Sequence, residues 1–270
     1  MLILRPPARS LVAQPIANNG RSWSFPIRAL WSGEEPLREQ VSGATTTQGA
    51  NFSLLRFNTK RTPYGRALTN DVQSDSVNIE FREIKEIVPA ASAFTMLAVF
   101  KIETLSGVLG ALIVSNTSGE SANISFNSSG QITAGTIRAN TSVTGNTVFA
   151  VGQTVAAAYV IRNGQQKLWV NGIEQTGAGT LAVSVFQNRN TLIVNGSGLS
   201  ASLLVAFGGA LSDHELAAIT LNPLLTIAPR VIRVPVAAAG GATLPTLSNA
   251  TFVPGSVTAT SFRPRVTATY

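Results

Sequence analysis

Alternation of apolar and polar positions dominates the chain between residues 77 and 207. In 77–83, Val77, Ile79 and Phe81 alternate with Asn78, Glu80 and Arg82, the two-residue period of a strand with one buried face. Residues 94–102 are almost continuously apolar, as expected of a strand buried on both faces. Further strands are predicted at 108–114, 123–127, 131–138, 148–151, 156–161, 167–170, 181–185, 191–194 and 202–207. Asn163-Gly164 and Asn171-Gly172 supply the left-handed residues that tight hairpins require. Many short strands with frequent turn signals predict an all-β, antiparallel sandwich or barrel.

One segment breaks the two-residue period. Ser212 followed three residues later by Glu215 is a capping box, with Leu211 and Leu216 placed as its hydrophobic staple. Leu216, Ala217, Ile219 and Leu221 continue a helix that Asn222-Pro223 ends. About nine residues is too short to stand alone, so this helix must dock on the sandwich.

The flanks read differently. Five prolines (Pro6, Pro7, Pro15, Pro26, Pro36) mark residues 1–40 as an extended arm, with Trp23, Phe25, Leu30 and Trp31 as apolar anchors. Residues 41–75 are mixed, with short strands at 52–57 and a turn at 62–65. The sandwich is expected over 41–229. After the small-residue linker 237–242, residues 244–270 hold short threonine-rich β segments, too few to bury a core of their own. Residues 230–270 therefore form a C-terminal β appendage that pairs with a neighbouring chain or with the sandwich edge.

Charge sharpens this division. The chain of 270 residues carries a net charge of +7, with no cysteine and one histidine. Residues 1–28 hold four arginines and no acid, and residues 230–270 hold four arginines and no acid, whereas 90–229 balance at zero. Nucleic-acid binders concentrate charge on one folded face, so no nucleic-acid partner is expected. The arginine-bearing ends instead suit protein interfaces. The assembly contacts this predicts are Arg5, Arg9, Trp23, Arg28, Trp31, Arg230, Arg233, Arg263, Arg265 and Tyr270. No apolar run reaches the length of a membrane span, and the start lacks a signal-peptide core, so synthesis in the cytoplasm without export is expected.

Three pieces in order, Phe94-Thr95-Met96-Leu97-Ala98-Val99-Phe100, Arg162-Asn163-Gly164 with Leu168-Trp169-Val170-Asn171-Gly172, and Ala210-Leu211-Ser212-Asp213-His214-Glu215-Leu216, resemble the laminin G-like, concanavalin A-like jelly roll. The resemblance covers roughly residues 75–222. The flanks, with Leu221-Asn222-Pro223 and the terminal Arg263-Pro264-Arg265-Val266-Thr267, resemble virion proteins of tailed phages and prophages that carry this domain. The resemblance implies a virion structural protein, first a tail-tip, baseplate or fibre component that contacts host surface polysaccharide. The alternative is a capsid decoration protein that stabilises the head. It also implies other virion proteins as partners and a homo-oligomer, a trimer as such appendages usually assemble.

Candidate chemistry is sparse. Calcium-binding members use acidic loops, because calcium takes six to eight hard oxygens. The only aspartates are Asp71, Asp75 and Asp213, so neither metal nor cofactor is expected. Glu80, Glu83 and Glu86 form the one carboxylate cluster comparable with a glycosidase pair, but Arg82 and Lys85 lie between them and favour a solvated charged edge. His214 sits in the first turn of the helix, and no serine has a triad motif. A polysaccharide-cleaving enzyme is the remote reading, and a non-enzymatic protein the expected one. Trp169 is a candidate sugar-stacking platform set against a half-buried sandwich aromatic.

Overall fold

The computed structural model describes residues 23–34, 39–44, 47–48, 57–70, 78–81, 93–105, 111–115, 121–136, 141–176, 191–195 and 198–227. Strands β1 (Ile27–Ser32), β2 (Thr47–Gln48), β3 (Phe57–Thr62), β4 (Gly65–Asn70) and β5 (Asn78–Phe81) come first. They are followed by β6 (Ala93–Ile102), β7 (Ala111–Ser115), β8 (Ser121–Phe126), β9 (Gln131–Thr136) and β10 (Thr141–Val148). The series ends with β11 (Thr154–Arg162), β12 (Gln165–Val170), β13 (Ile173–Glu174), β14 (Thr191–Asn195) and β15 (Leu199–Phe207). Helix α1 (Asp213–Leu221) and a 3-10 turn, Pro223–Thr226, close the described chain.

The strands build two antiparallel sheets. The first runs β13-β12-β11-β6-β15-β4-β3, with β1 also paired to β15; the second runs β10-β9-β8-β7-β14-β5-β2. Between them lies the main core. Phe94, Met96, Ala98 and Phe100 of β6 face Ala122, Ile124 and Phe126 of β8 across the sandwich. Phe100 and Phe126 stack with centroids 6.0 Å apart. Such aromatic pairs add about 1 kcal/mol to the area they bury.

A second core explains the continuously apolar strands. Leu97 and Val99 of β6, Ala156, Ala158 and Val160 of β11, and Leu203, Val205 and Phe207 of β15 point to the other side of the first sheet. Leu211, Leu216 and Ile219 cover them, together with Ile27 and Leu30. The central strands β6, β11 and β15 of the first sheet are thus buried on both faces, as the sequence of 94–102 predicts. The capping box forms as expected: Ser212 N–H donates to Glu215 Oε2 (2.8 Å) and Glu215 N–H to Ser212 Oγ (3.4 Å). Leu211 and Leu216 are both fully buried. The β11–β12 hairpin closes through Asn163 (φ 50°) and Gly164 (φ 74°), with Arg162 opposite Gln165.

Three local readings change. The expected strand at 148–151 is instead the exit from β10, which spans Thr141–Val148. The apolar run misled because Val148 and Val151 face solvent, while Phe149 turns inward over Gly130. Residues 27–32, placed in the extended arm, form a strand held along β15. Trp31, expected at an assembly contact, lies wholly inside the main core, with 0 % of its surface accessible, so it anchors β1 within the chain. The strand expected at 181–185, the arm before residue 23 and the appendage 230–270 lie outside the described residues.

Candidate functional site

Among the described residues, the outer face of the second sheet carries the most regular polar surface. In β8 and just beyond it, Ala122, Ile124 and Phe126 enter the core, which turns Asn123, Ser125 and Asn127 outward. In β9, Ile132 and Ala134 enter the core and Gln131 and Thr133 turn outward. In β10, Val143 is buried and Ser142 and Thr144 are exposed. The register sets these residues in rows across the strands. Ser125 lies opposite Thr133, which lies opposite Thr144; Asn123 and Ser142 flank Gly135.

Hydrogen bonds fix this surface. Ser125 Oγ and Thr133 Oγ1 are 2.8 Å apart. Asn127 Nδ2 donates to Gln131 Oε1 (3.1 Å), while Asn127 Oδ1 accepts from the backbone N–H groups of Ser129 and Gln131, both at 3.0 Å. The side chains described on this face are all hydroxyls and amides, without charge. Each still has donor or acceptor capacity to spare, which is what a hydroxyl-rich neutral ligand requires.

The described carboxylates serve the fold. Glu39 accepts from Leu30 N–H (2.6 Å), Val41 N–H (2.8 Å), Ser42 N–H (2.6 Å) and the Ser42 hydroxyl. Glu103 meets Ser200 Oγ (2.6 Å), Lys60 (3.4 Å) and Lys101 (3.5 Å). Burial works to raise the Glu103 carboxyl, but the Ser200 hydrogen bond and the two lysines hold it below the usual range. Asp213 pairs with Arg162 (3.1 Å) and Lys167 (3.3 Å), and Glu174 with Lys167 (3.0 Å). Glu34 accepts from Arg66 N–H (2.9 Å).

The sequence-based candidates scatter. Trp169 is half-buried on the outer side of the first sheet, against the second core, with its indole N–H enclosed and unpartnered. It does not share a face with the polar rows of the second sheet. Trp23 is half-buried and meets Phe207 edge-on, centroids 5.9 Å apart, and Arg28 is half-buried on β1. His214 is exposed on α1. Arg5, Arg9, Arg230, Arg233, Arg263, Arg265 and Tyr270, and the side chains of Asp71, Asp75, Glu80, Glu83 and Glu86, lie outside what is described. Among the described residues no group of three or more metal-ligating side chains comes together. The polar rows had a sequence signal, the alternation Ala122-Asn123-Ile124-Ser125-Phe126-Asn127. A reading centred on aromatics and carboxylates passes over it.

Residues 71–223 match the profile of the laminin G family described as the concanavalin A-like lectin/glucanases superfamily. The chain belongs to this superfamily. Among solved structures it is similar to domain 4 of AbnA, a GH43 extracellular arabinanase from Geobacillus stearothermophilus, solved with arabinotriose. The identity is 17 %, the TM-score 0.52, and the match covers 72 % of this chain and 98 % of that domain. It is also similar to a sialidase of Trypanosoma rangeli solved with sialic acid, at 12 % identity and a TM-score of 0.53, over 73 % of this chain and 33 % of that one. The match thus spans about a third of the sialidase. At these identities the likeness is one of fold. A comparison with curated proteins finds no match. As a member of the superfamily the chain has the expected sandwich, while its described carboxylates are all engaged in structural pairs.

Proposed function

We propose that this chain is a structural subunit of a tailed-phage virion, a tail-tip, baseplate or fibre component that contacts the host surface. It holds neutral polysaccharide on the outer face of the second sheet and does not cleave it. The observation that carries the reading is the uncharged, hydrogen-bonded surface of Asn123, Ser125, Gln131, Thr133, Ser142 and Thr144. The arabinotriose complex of the arabinanase domain is consistent with a sandwich of this fold holding a neutral saccharide. The engagement of every described carboxylate supports a non-catalytic role. The resemblance of the flanks supports the virion setting, with the arginine-bearing ends as contacts to other virion proteins in a homo-oligomer.

The test is a binding assay of the full chain on neutral and acidic host-surface glycans. Neutral glycan is expected to bind and to be recovered uncleaved, and Ser125→Ala with Thr133→Ala should weaken binding at least tenfold. Release of reducing sugars would overturn the non-catalytic reading. Antibody labelling of particles should place the chain on the tail. Labelling of the shell would replace this reading with that of a capsid decoration protein.

A further inference from the structure

We propose that residues 141–144, a stretch of edge strand β10 whose outer edge takes no hydrogen bond from another described residue, pair antiparallel with the same stretch of a second copy of this chain. The two second sheets then become one continuous sheet. The remaining sheet edges are each finished in a way that discourages pairing. An exposed strand edge is a template for pairing unless it is short, charged, bulged or covered.

Strands β2 and β13, at the ends of the two sheets, are two residues long each. Strand β3 presents exposed Lys60 and Arg61. The free side of β1 is covered: Leu30 N–H donates to Glu39 and its carbonyl accepts from Gln40 N–H at 2.8 Å. The second half of β10 is also protected. The register with β9 slips between Thr144 and Val148, and Thr147 N–H donates to Gln175 Oε1 at 3.2 Å.

Among the described residues this protection stops short of residues 141–144. Among the described residues, Gln175 alone meets the outer edge of β10 with a hydrogen bond. The open stretch, Thr141-Ser142-Val143-Thr144, contains no charge and no proline, and Ser142 and Thr144 are exposed. Threonine and valine favour strands. A two-fold axis through Val143 would set Ser142 of one copy against Thr144 of the other and Val143 against itself, so an uncharged stretch meets its copy without like-charge repulsion, and cross-strand hydroxyl pairs add to the backbone bonds. The occupant that fits is therefore a second copy. Ser142 and Thr144 would carry the polar rows into the partner's sheet and double the glycan surface. This last consequence rests on the proposed glycan reading; the pairing does not.

Sedimentation equilibrium of the full chain tests it. The expected result is an even-numbered assembly whose mass falls twofold in Thr144→Lys and in Ser142→Lys, with unchanged circular dichroism. Mixing Thr144→Lys with Thr144→Glu should restore the mass. Hydrogen exchange of the unmodified protein should show amides within 141–144 slowing as concentration rises, and this decides the matter if a variant fails to fold. A monomeric wild type at about 100 µM, or lysine variants of unchanged mass, would overturn the pairing. The Ser125→Ala and Thr133→Ala assay leaves the edge untouched, so glycan binding that those substitutions leave unchanged, with the mass retained, sinks only the glycan reading.

Discussion

Glu39 shows how one side chain substitutes for a missing strand. Its buried carboxylate takes N–H bonds from Leu30 on β1 and from Val41 and Ser42 in the following turn. Hydrogen bonds to a charged acceptor are worth more than neutral ones, and an orphaned buried donor is costly. In Glu39→Gln one carboxylate oxygen becomes an NH₂ group facing N–H donors. The expected loss is about 2–4 kcal/mol of unfolding free energy, read from urea denaturation. A loss below about 1 kcal/mol would mean that this carboxylate does not hold the edge. Glu215 is another multiply bonded acid, accepting from Ser212 N–H and Oγ and from Ser24 N–H (2.6 Å) and Oγ (2.8 Å). Burial opposes its ionisation, but these hydrogen bonds win and hold its carboxyl below the usual range. A carboxyl lowered by folding contributes stability above its unfolded value and loses it as pH falls through the folded one. Acid titration of stability should therefore show a loss that begins near pH 4.5 and continues below it. Glu215→Gln should flatten that limb, and an unchanged acid limb would rule out the contribution.

At the scale of elements, turns carry information that strands do not. Gly130, between β8 and β9, has φ +77°, and a Cβ there would lie 2.2 Å from the Phe149 carbonyl oxygen. Gly130→Ala combines left-handed strain with a backbone clash and should cost about 2–4 kcal/mol, seen as a lowered Tm. A neutral result would mean that the 149–152 exit is free to move. The same physics decides what could be read from sequence. Asn163-Gly164 and the Ser212–Glu215 box are local instructions, complete within four residues, and both appear as expected. Strand β10 was missed because in Thr141–Val148 only Val143 is a buried apolar side chain, while the nearby Val148 and Val151 look like core and are not. Trp31 was misplaced because a tryptophan after a proline-rich stretch reads alike as an anchor for a partner or for the chain's own sheet. Only the non-local pairing with β15 separates the two. The polar face was legible as alternation, but its alignment across β8, β9 and β10 depends on register, which a single sequence leaves open.

For the whole molecule, the charge distribution separates two kinds of contact that respond differently to salt. The ends carry +4 each through arginine, while the segment 90–229 is neutral and the described side chains on the outer face of the second sheet, the proposed glycan surface, are uncharged. Contacts between exposed charges are screened beyond about 10 Å at 0.1 M ionic strength, whereas hydroxyl and amide hydrogen bonds to a neutral saccharide involve no ion pair to screen. Raising sodium chloride from about 50 to about 500 mM shortens the screening length roughly threefold. Glycan affinity should then change less than twofold, while incorporation into particles, if the arginine-bearing ends make it, should fall several-fold. Truncating residues 230–270 should lower incorporation at low salt and leave glycan affinity as it was. Binding measured on a glycan surface and incorporation measured by particle sedimentation report the two separately. A glycan affinity that drops in parallel with incorporation would mean that the arginines, and not the neutral face, hold the polysaccharide. The second sheet would then lose its role as the contact surface, even with the sandwich itself intact.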